Sequence, residues 1–183
     1  DIIFRSDDGS GGVTPYFTVD GSIVRTSFHQ HTIHNDNVRA QFGSAPDLDI
    51  YHDATDSRIE NSTGDLYITN SADDKDIIFK SDDGSGGTTE YFRLEGNQRM
   101  TIASKAFNFT DNVKTLFGSS HDLEIYHDAT DSIITNGTGN LNFYQNTDDG
   151  DIRFYNDNGS GGTTEYFRLD GGDSSTQIKT IKV

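Results

Sequence analysis

Asp76-Ile77-Ile78-Phe79-Lys80-Ser81-Asp82-Asp83-Gly84-Ser85-Gly86-Gly87-Thr88-Thr89-Glu90-Tyr91-Phe92-Arg93-Leu94 decides the fold. Two short runs rich in Ile, Phe, Thr and Tyr flank a loop of Asp, Gly and Ser, which reads as a β-hairpin: Asp76 to Lys80, the loop, and a return over Thr88 to Leu94. Outward from the hairpin, Glu95-Gly96-Asn97 is a second turn, and residues 113–117 form a short strand before Gly118-Ser119-Ser120. Residues 122–127 alternate, with Leu123, Ile125 and His127 on one face and Tyr126 on the other. Asp128-Ala129-Thr130-Asp131 turns the chain into 132–135, and Asn136-Gly137-Thr138-Gly139 turns it again into a strand over 141–144. No window carries a capped 3.6-residue stripe, so helix is expected to be scarce.

The same words recur at a fixed pitch. Asp1-Ile2-Ile3-Phe4 returns as Asp76-Ile77-Ile78-Phe79 and, altered, as Asp151-Ile152-Arg153-Phe154, an offset of 75 residues each time. Tyr16-Phe17 becomes Tyr91-Phe92 and Tyr166-Phe167, and the run 47–57 returns at 122–132 with Glu124 as its one change. No insertion or deletion separates the copies. The expected organisation is therefore β-repeat 1 over 1–75, β-repeat 2 over 76–150 and a partial β-repeat 3 over 151–183, stacked with constant geometry. Residue 1 already lies inside a repeat, which predicts a fragment of a longer array.

Composition explains why such repeats would need company. Hydrophobic residues are 31% of the 183, yet the chain has 12 Phe, 8 Tyr and only 2 Pro. That is too little apolar surface for a self-contained globule and the wrong bias for disorder. The expected fold is an all-β, elongated, repetitive fibre of short strands and tight turns, its apolar faces covered by neighbouring repeats or by sister chains in a homotrimer. Six or seven strands per repeat lying across the axis would advance it by about 30 Å at about 4.8 Å per strand. The net charge of −16 and pI near 4.4 argue against nucleic acid and membrane insertion. Cysteine is absent, which excludes a disulfide framework.

The Asp-Leu-Glu-Ile-Tyr-His-Asp-Ala-Thr-Asp-Ser run at 122–132, with Phe117-Gly118-Ser119 before it and Gly139-Asn140-Leu141 after it, resembles repeats in tail-fibre and related structural proteins of marine and cyanobacterial bacteriophages. The Asp-Gly-Ser-Gly-Gly-Thr-Thr-Glu-Tyr-Phe-Arg-Leu run at 83–94 is similar to a companion motif of the same proteins. The resemblance implies a homotrimeric β-fibre in a virion tail fibre, a non-catalytic shaft positioning a host-attachment tip. Contact with a host-surface glycan or protein would then fall to regions outside this chain. The alternatives are a bacterial extracellular filament or adhesin built from the same repeat and a carbohydrate-degrading tailspike segment.

Two constellations offer metal chemistry. His29-Gln30-His31 on a strand would put both rings on one face, and three chains would gather six imidazoles, an octahedral set suited to Fe, Ni or Zn. This arrangement is similar to His-x-His sites in some phage fibres. The second repeat has Ser104-Lys105-Ala106 there, which favours surface histidines, with His34, in a variable segment. Asp82 and Asp83, heading the Gly-Ser-Gly-Gly loop, offer hard oxygens for calcium but lack the spacing of known calcium loops, and a solvated hairpin loop accounts for them equally.

No enzyme is expected and no other cofactor. Tyr51-His52-Asp53 and Tyr126-His127-Asp128 are consecutive strand residues that point alternately to opposite faces, and duplication at the repeat pitch suits packing better than catalysis. His52 and His127 are expected to cap the turns that follow them. With 30 Asp and Glu, carboxylate pairs of glycosidase type arise by chance. The formal glycosylation triplets at Asn61, Asn108 and Asn136 read as turn and strand residues.

Overall fold

The computed structural model describes residues 1–179, and among these all regular structure is β. Fifteen strands form five antiparallel three-stranded sheets, each a meander of consecutive strands. The first sheet holds β1 (Ile2–Asp7), β2 (Val13–Asp20) and β3 (Arg25–Phe28); the second holds β4 (Ala40–Phe42), β5 (Leu48–His52) and β6 (Ser57–Asn61). The third holds β7 (Ile77–Asp82), β8 (Thr88–Glu95) and β9 (Met100–Ala103), and the fourth β10 (Thr115–Phe117), β11 (Leu123–His127) and β12 (Ser132–Asn136). The fifth holds β13 (Ile152–Asp157), β14 (Thr163–Asp170) and β15 (Ser175–Ile178). Strand bounds recur at the sequence offset: β1, β7 and β13 begin 75 residues apart.

The chain divides into two units, Asp1–Ile102 and Ala103–Val183. Within each unit, strands contact strands of their own sheet and of no other. No hydrophobic side chain among the described residues is buried; Asp49, 5% exposed, is the sole residue in that class.

The long hairpins owe their shape to one extra residue. Phe4 pairs with Phe17 but Arg5 pairs with Pro15, so Tyr16 is unmatched; Tyr91 and Tyr166 occupy the same place in their hairpins. Such a bulge sharpens the local twist and re-aims the side chain. Here it carries the phenol back over the loop, where its hydroxyl donates to the carbonyl of Asp7 (3.0 Å), Asp82 (3.3 Å) or Asp157 (3.1 Å). Left-handed backbone repeats as well: Val24, Arg99 and Ser174 have φ of 52°, 54° and 50° in equivalent turns, and Ala54 and Ala129 have 76° and 80°.

Two elements differ from the sequence reading. β9, with β3 and β15, is a third strand after the second turn, too short and mixed to stand out in the sequence. Residues 141–144, expected as a strand, have no pairing partner among the described residues and lie outside regular structure. The alternation assigned to 122–127 holds, since Leu123, Ile125 and His127 lie on one face of β11 in register with Asn136, Ile134 and Ser132.

Candidate functional site

The long hairpin sheets are two-faced. In the third sheet Ile77 lies opposite Leu94 and Phe79 opposite Phe92, so these four share one face, and the two phenyl rings stack at 4.4 Å. Phe4–Phe17 and Phe154–Phe167 stack at 4.2 Å in the first and fifth sheets, and Phe28 extends the first ladder at 6.1 Å from Phe17. Arg93, between Phe92 and Leu94, points the other way. Its guanidinium reaches Glu90 (2.8 Å), Glu95 (3.0 Å) and Asp76 (3.3 Å). Arg168 repeats this with Asp170 at 2.7 Å and Asp151 at 3.6 Å. The first repeat has Pro15 and Thr18 in place of Glu90 and Arg93, and Thr18 pairs instead with the His29 ring nitrogen Nε2 at 3.0 Å. Of the three acids only Glu90 is lost together with the arginine, since Asp1 and Asp20 keep the places of Asp76 and Glu95.

The shorter sheets follow the same division. Ala40, Ile50 and Ile59 are in register on one face, as are Thr115, Ile125 and Ile134. The opposite face of the second sheet carries Asp49, held by Arg39 and by Gln41 (3.0 Å). Arg39 lies 4.2 Å above the Tyr51 ring, whose hydroxyl donates to Glu60. The hydrogen bonds from Arg39 and then Gln41 hold the Asp49 carboxyl below its usual range. In the fourth sheet Lys114 takes the arginine's place, 2.7 Å from Glu124 and 4.7 Å above Tyr126.

The loop carboxylates proposed for calcium are engaged within the loop. Asp83 Oδ1 accepts from the Ser85 amide and hydroxyl (both 2.8 Å) and from the Gly87 amide (3.1 Å), which lowers its pKa, the Ser85 hydroxyl contributing most. Asp82 Oδ2 accepts from the Gly84 amide at 2.9 Å. Asn158, uncharged, makes the same two backbone contacts to Ser160 and Gly162 in the third copy. What the loop requires locally is a side-chain oxygen acceptor and glycine: a Cβ on Gly87 would lie 2.6 Å from Asp83 Oδ2. Among the described residues no group of three or more His, Asp or Glu is arranged to hold a metal ion.

His29 and His31 sit past the end of β3 at Phe28, not within a strand, so the shared-face argument made from sequence does not apply to them. His29 continues the sheet by one hydrogen bond, its amide donating to Tyr16 O at 2.9 Å, whereas His31 lies in irregular, exposed chain. The Tyr-His-Asp triplets do not converge. Tyr51 faces the acidic side with Glu60, and His52 Nδ1 faces Ser57 Oγ on the other side at 3.3 Å. The turn cap is the aspartate, not the histidine: Asp53 Oδ1 accepts from the amides of Thr55 (3.1 Å) and Asp56 (2.8 Å), as Asp128 does from Thr130 and Asp131. The Asp56 amide first, and then the Arg58 guanidinium, bring the Asp53 pKa down to about 2.

Sequence reasoning missed two devices. One is the bulge tyrosine; the other is the aspartate that opens each repeat, whose Oδ1 accepts from the amide of Gly21, Gly96 or Gly171 at 3.0–3.1 Å and ties the hairpin's start to its second turn. Both residues are kept in all three copies, and that was the available signal. No protein-family model, curated protein or solved structure matches this chain.

Proposed function

We propose that this chain is a non-catalytic segment of a structural shaft, assembled from three copies and serving in a phage tail fibre to hold a host-attachment tip away from the particle. The observation that carries the reading is the missing core. Every sheet has an apolar face, yet no strand of another sheet packs on it and no hydrophobic side chain among the described residues is buried. A folded monomer of 20.2 kDa exposes roughly 8,800 Å², and this chain exposes 14848 Å², an excess of about 6,000 Å². Obligate interfaces run from roughly 2,000 to 5,000 Å² or more in total. Sister chains supply cover of that size, and a constant pitch lets them stay in register from repeat to repeat. The phage assignment rests on the resemblance of the runs at 83–94 and 122–132.

Mass in solution by light scattering, with negative-stain imaging, tests the assembly. The expected result is three times the 20.2 kDa chain mass and rod-shaped particles. A compact monomer at every concentration sinks it.

A further inference from the structure

We infer that residues 65–70 and 140–145 are strands whose hydrogen-bonding partners belong to another copy of this chain, so that the assembled chains exchange strands and do not merely lie side by side. The inference rests on the self-assembly reading above and specifies how the copies are joined.

Both segments follow directly on the last strand of a short sheet, after a turn closed by Asn61 Nδ2 on the Thr63 and Gly64 carbonyls and by Asn136 Nδ2 on those of Thr138 and Gly139. The turn is built and the expected strand follows, but no pairing does. No backbone amide or carbonyl of residues 65–69 or 140–145 has a hydrogen-bond partner among the described residues. The side chains nonetheless alternate as in a half-buried strand. Leu66 and Ile68 become Leu141 and Phe143 one repeat later, while Tyr67 between them becomes Asn142. An apolar period of two is kept on one face and released on the other. All of these apolar side chains are exposed, Tyr67 at 81% and Tyr144 at 80%.

A single chain also carries the acceptors. Each three-stranded sheet ends in two edge strands that no other strand of its unit covers. An exposed edge beside an exposed, unpaired, apolar strand is an association hazard unless the two meet. Within a unit they do not meet, and the excess surface of about 6,000 Å² leaves ample area for copies to bring them together. Main-chain pairing to an open edge supplies the affinity, and the Leu66/Ile68 and Leu141/Phe143 faces set the register. The occupant is therefore a second copy of the chain, presenting a sheet edge.

Amide hydrogen exchange on the full chain tests this, read at residues 65–70 and 141–145 together with solution mass over a dilution series. Assembled protein is expected to protect these amides roughly 100-fold over the unpaired rate, and protection is lost on dilution together with the oligomer. Ile68→Pro and Phe143→Pro remove donors that have no partner among the described residues, so the hairpin sheets stay formed by circular dichroism while assembly is lost. Oligomers whose 65–70 and 141–145 amides exchange freely overturn strand exchange and leave the shaft reading standing. Protected amides in a monomer also overturn it, because the partner then lies in the same chain. A monomer at all concentrations with free amides overturns both.

Discussion

Val24 is the most informative single position for stability. It sits at φ 52° in the turn between β2 and β3, a left-handed conformation that β-branched residues rarely adopt. Left-handed backbone costs an L-residue roughly 1–2 kcal/mol. Its side chain is 90% exposed, so substitution forfeits almost no packing. Asparagine tolerates this region, and Val24→Asn is expected to stabilise the chain by about 1 kcal/mol. Val24→Gly removes all of the strain but loses about 0.5–1 kcal/mol to the more flexible unfolded chain, leaving a smaller gain. For a chain of this length 1 kcal/mol raises Tm by about 2–4 °C. Thermal melts followed by circular dichroism at fixed protein concentration make the measurement. Ser174→Asn, at the equivalent turn with φ 50°, serves as the comparison and should gain less, because serine is not β-branched. An unchanged or lower Tm for Val24→Asn refutes the reasoning. It would mean that the valine is held by a contact that its exposure in the single chain denies.

Four further outcomes are expected. Tyr91→Phe removes the hydroxyl bond to the Asp82 carbonyl that braces the bulge; the loss of stability should be about 0.5–1 kcal/mol in denaturant melts. Asp53, held at about 2, contributes stability that is present above the ordinary aspartate pKa and lost as pH falls through about 2. Arg58→Ile, which installs the residue of the second repeat, should raise the midpoint seen by carboxyl NMR yet leave it below the ordinary value, since the Asp56 amide remains. Phe79 is 39% exposed in the single chain, about 80 Å² whose cover by a sister chain in the proposed assembly would be worth about 2 kcal/mol, so Phe79→Ser should raise the concentration needed for assembly tenfold or more in sedimentation runs. Millimolar calcium or EDTA should leave Tm unchanged, because Asn158 closes the third loop as Asp83 closes the second.

Where one face of a strand was strongly patterned, the sequence was legible. The hairpin over 76–94 and the facing of Leu123, Ile125 and Tyr126 could be read from turn chemistry and alternation. β9 could not, because Met100-Thr101-Ile102-Ala103 is a strand only through its bonds to β8. Residues 141–144 illustrate the converse: their pattern is that of a strand, but pairing is a property of two segments, and the second is not found in this chain's described residues. Histidine placement failed for a local reason. A strand ending at Phe28 removes the geometry on which the His29/His31 pairing depended. The bulge was also hidden, because a single extra residue changes register without changing composition.

Among the described residues all strand pairing is between consecutive strands, and paired residues lie no further apart along the chain than Ile77 and Leu94. Such contacts close small loops, so each meander is able to form on the microsecond scale of a hairpin, independently of the rest. In the proposed assembly the slow step is the meeting of chains, whose rate rises with concentration. Maturation should therefore show two kinetic regimes: a fast one insensitive to dilution, and a late one that makes yield in the cell a matter of how quickly nascent copies find one another.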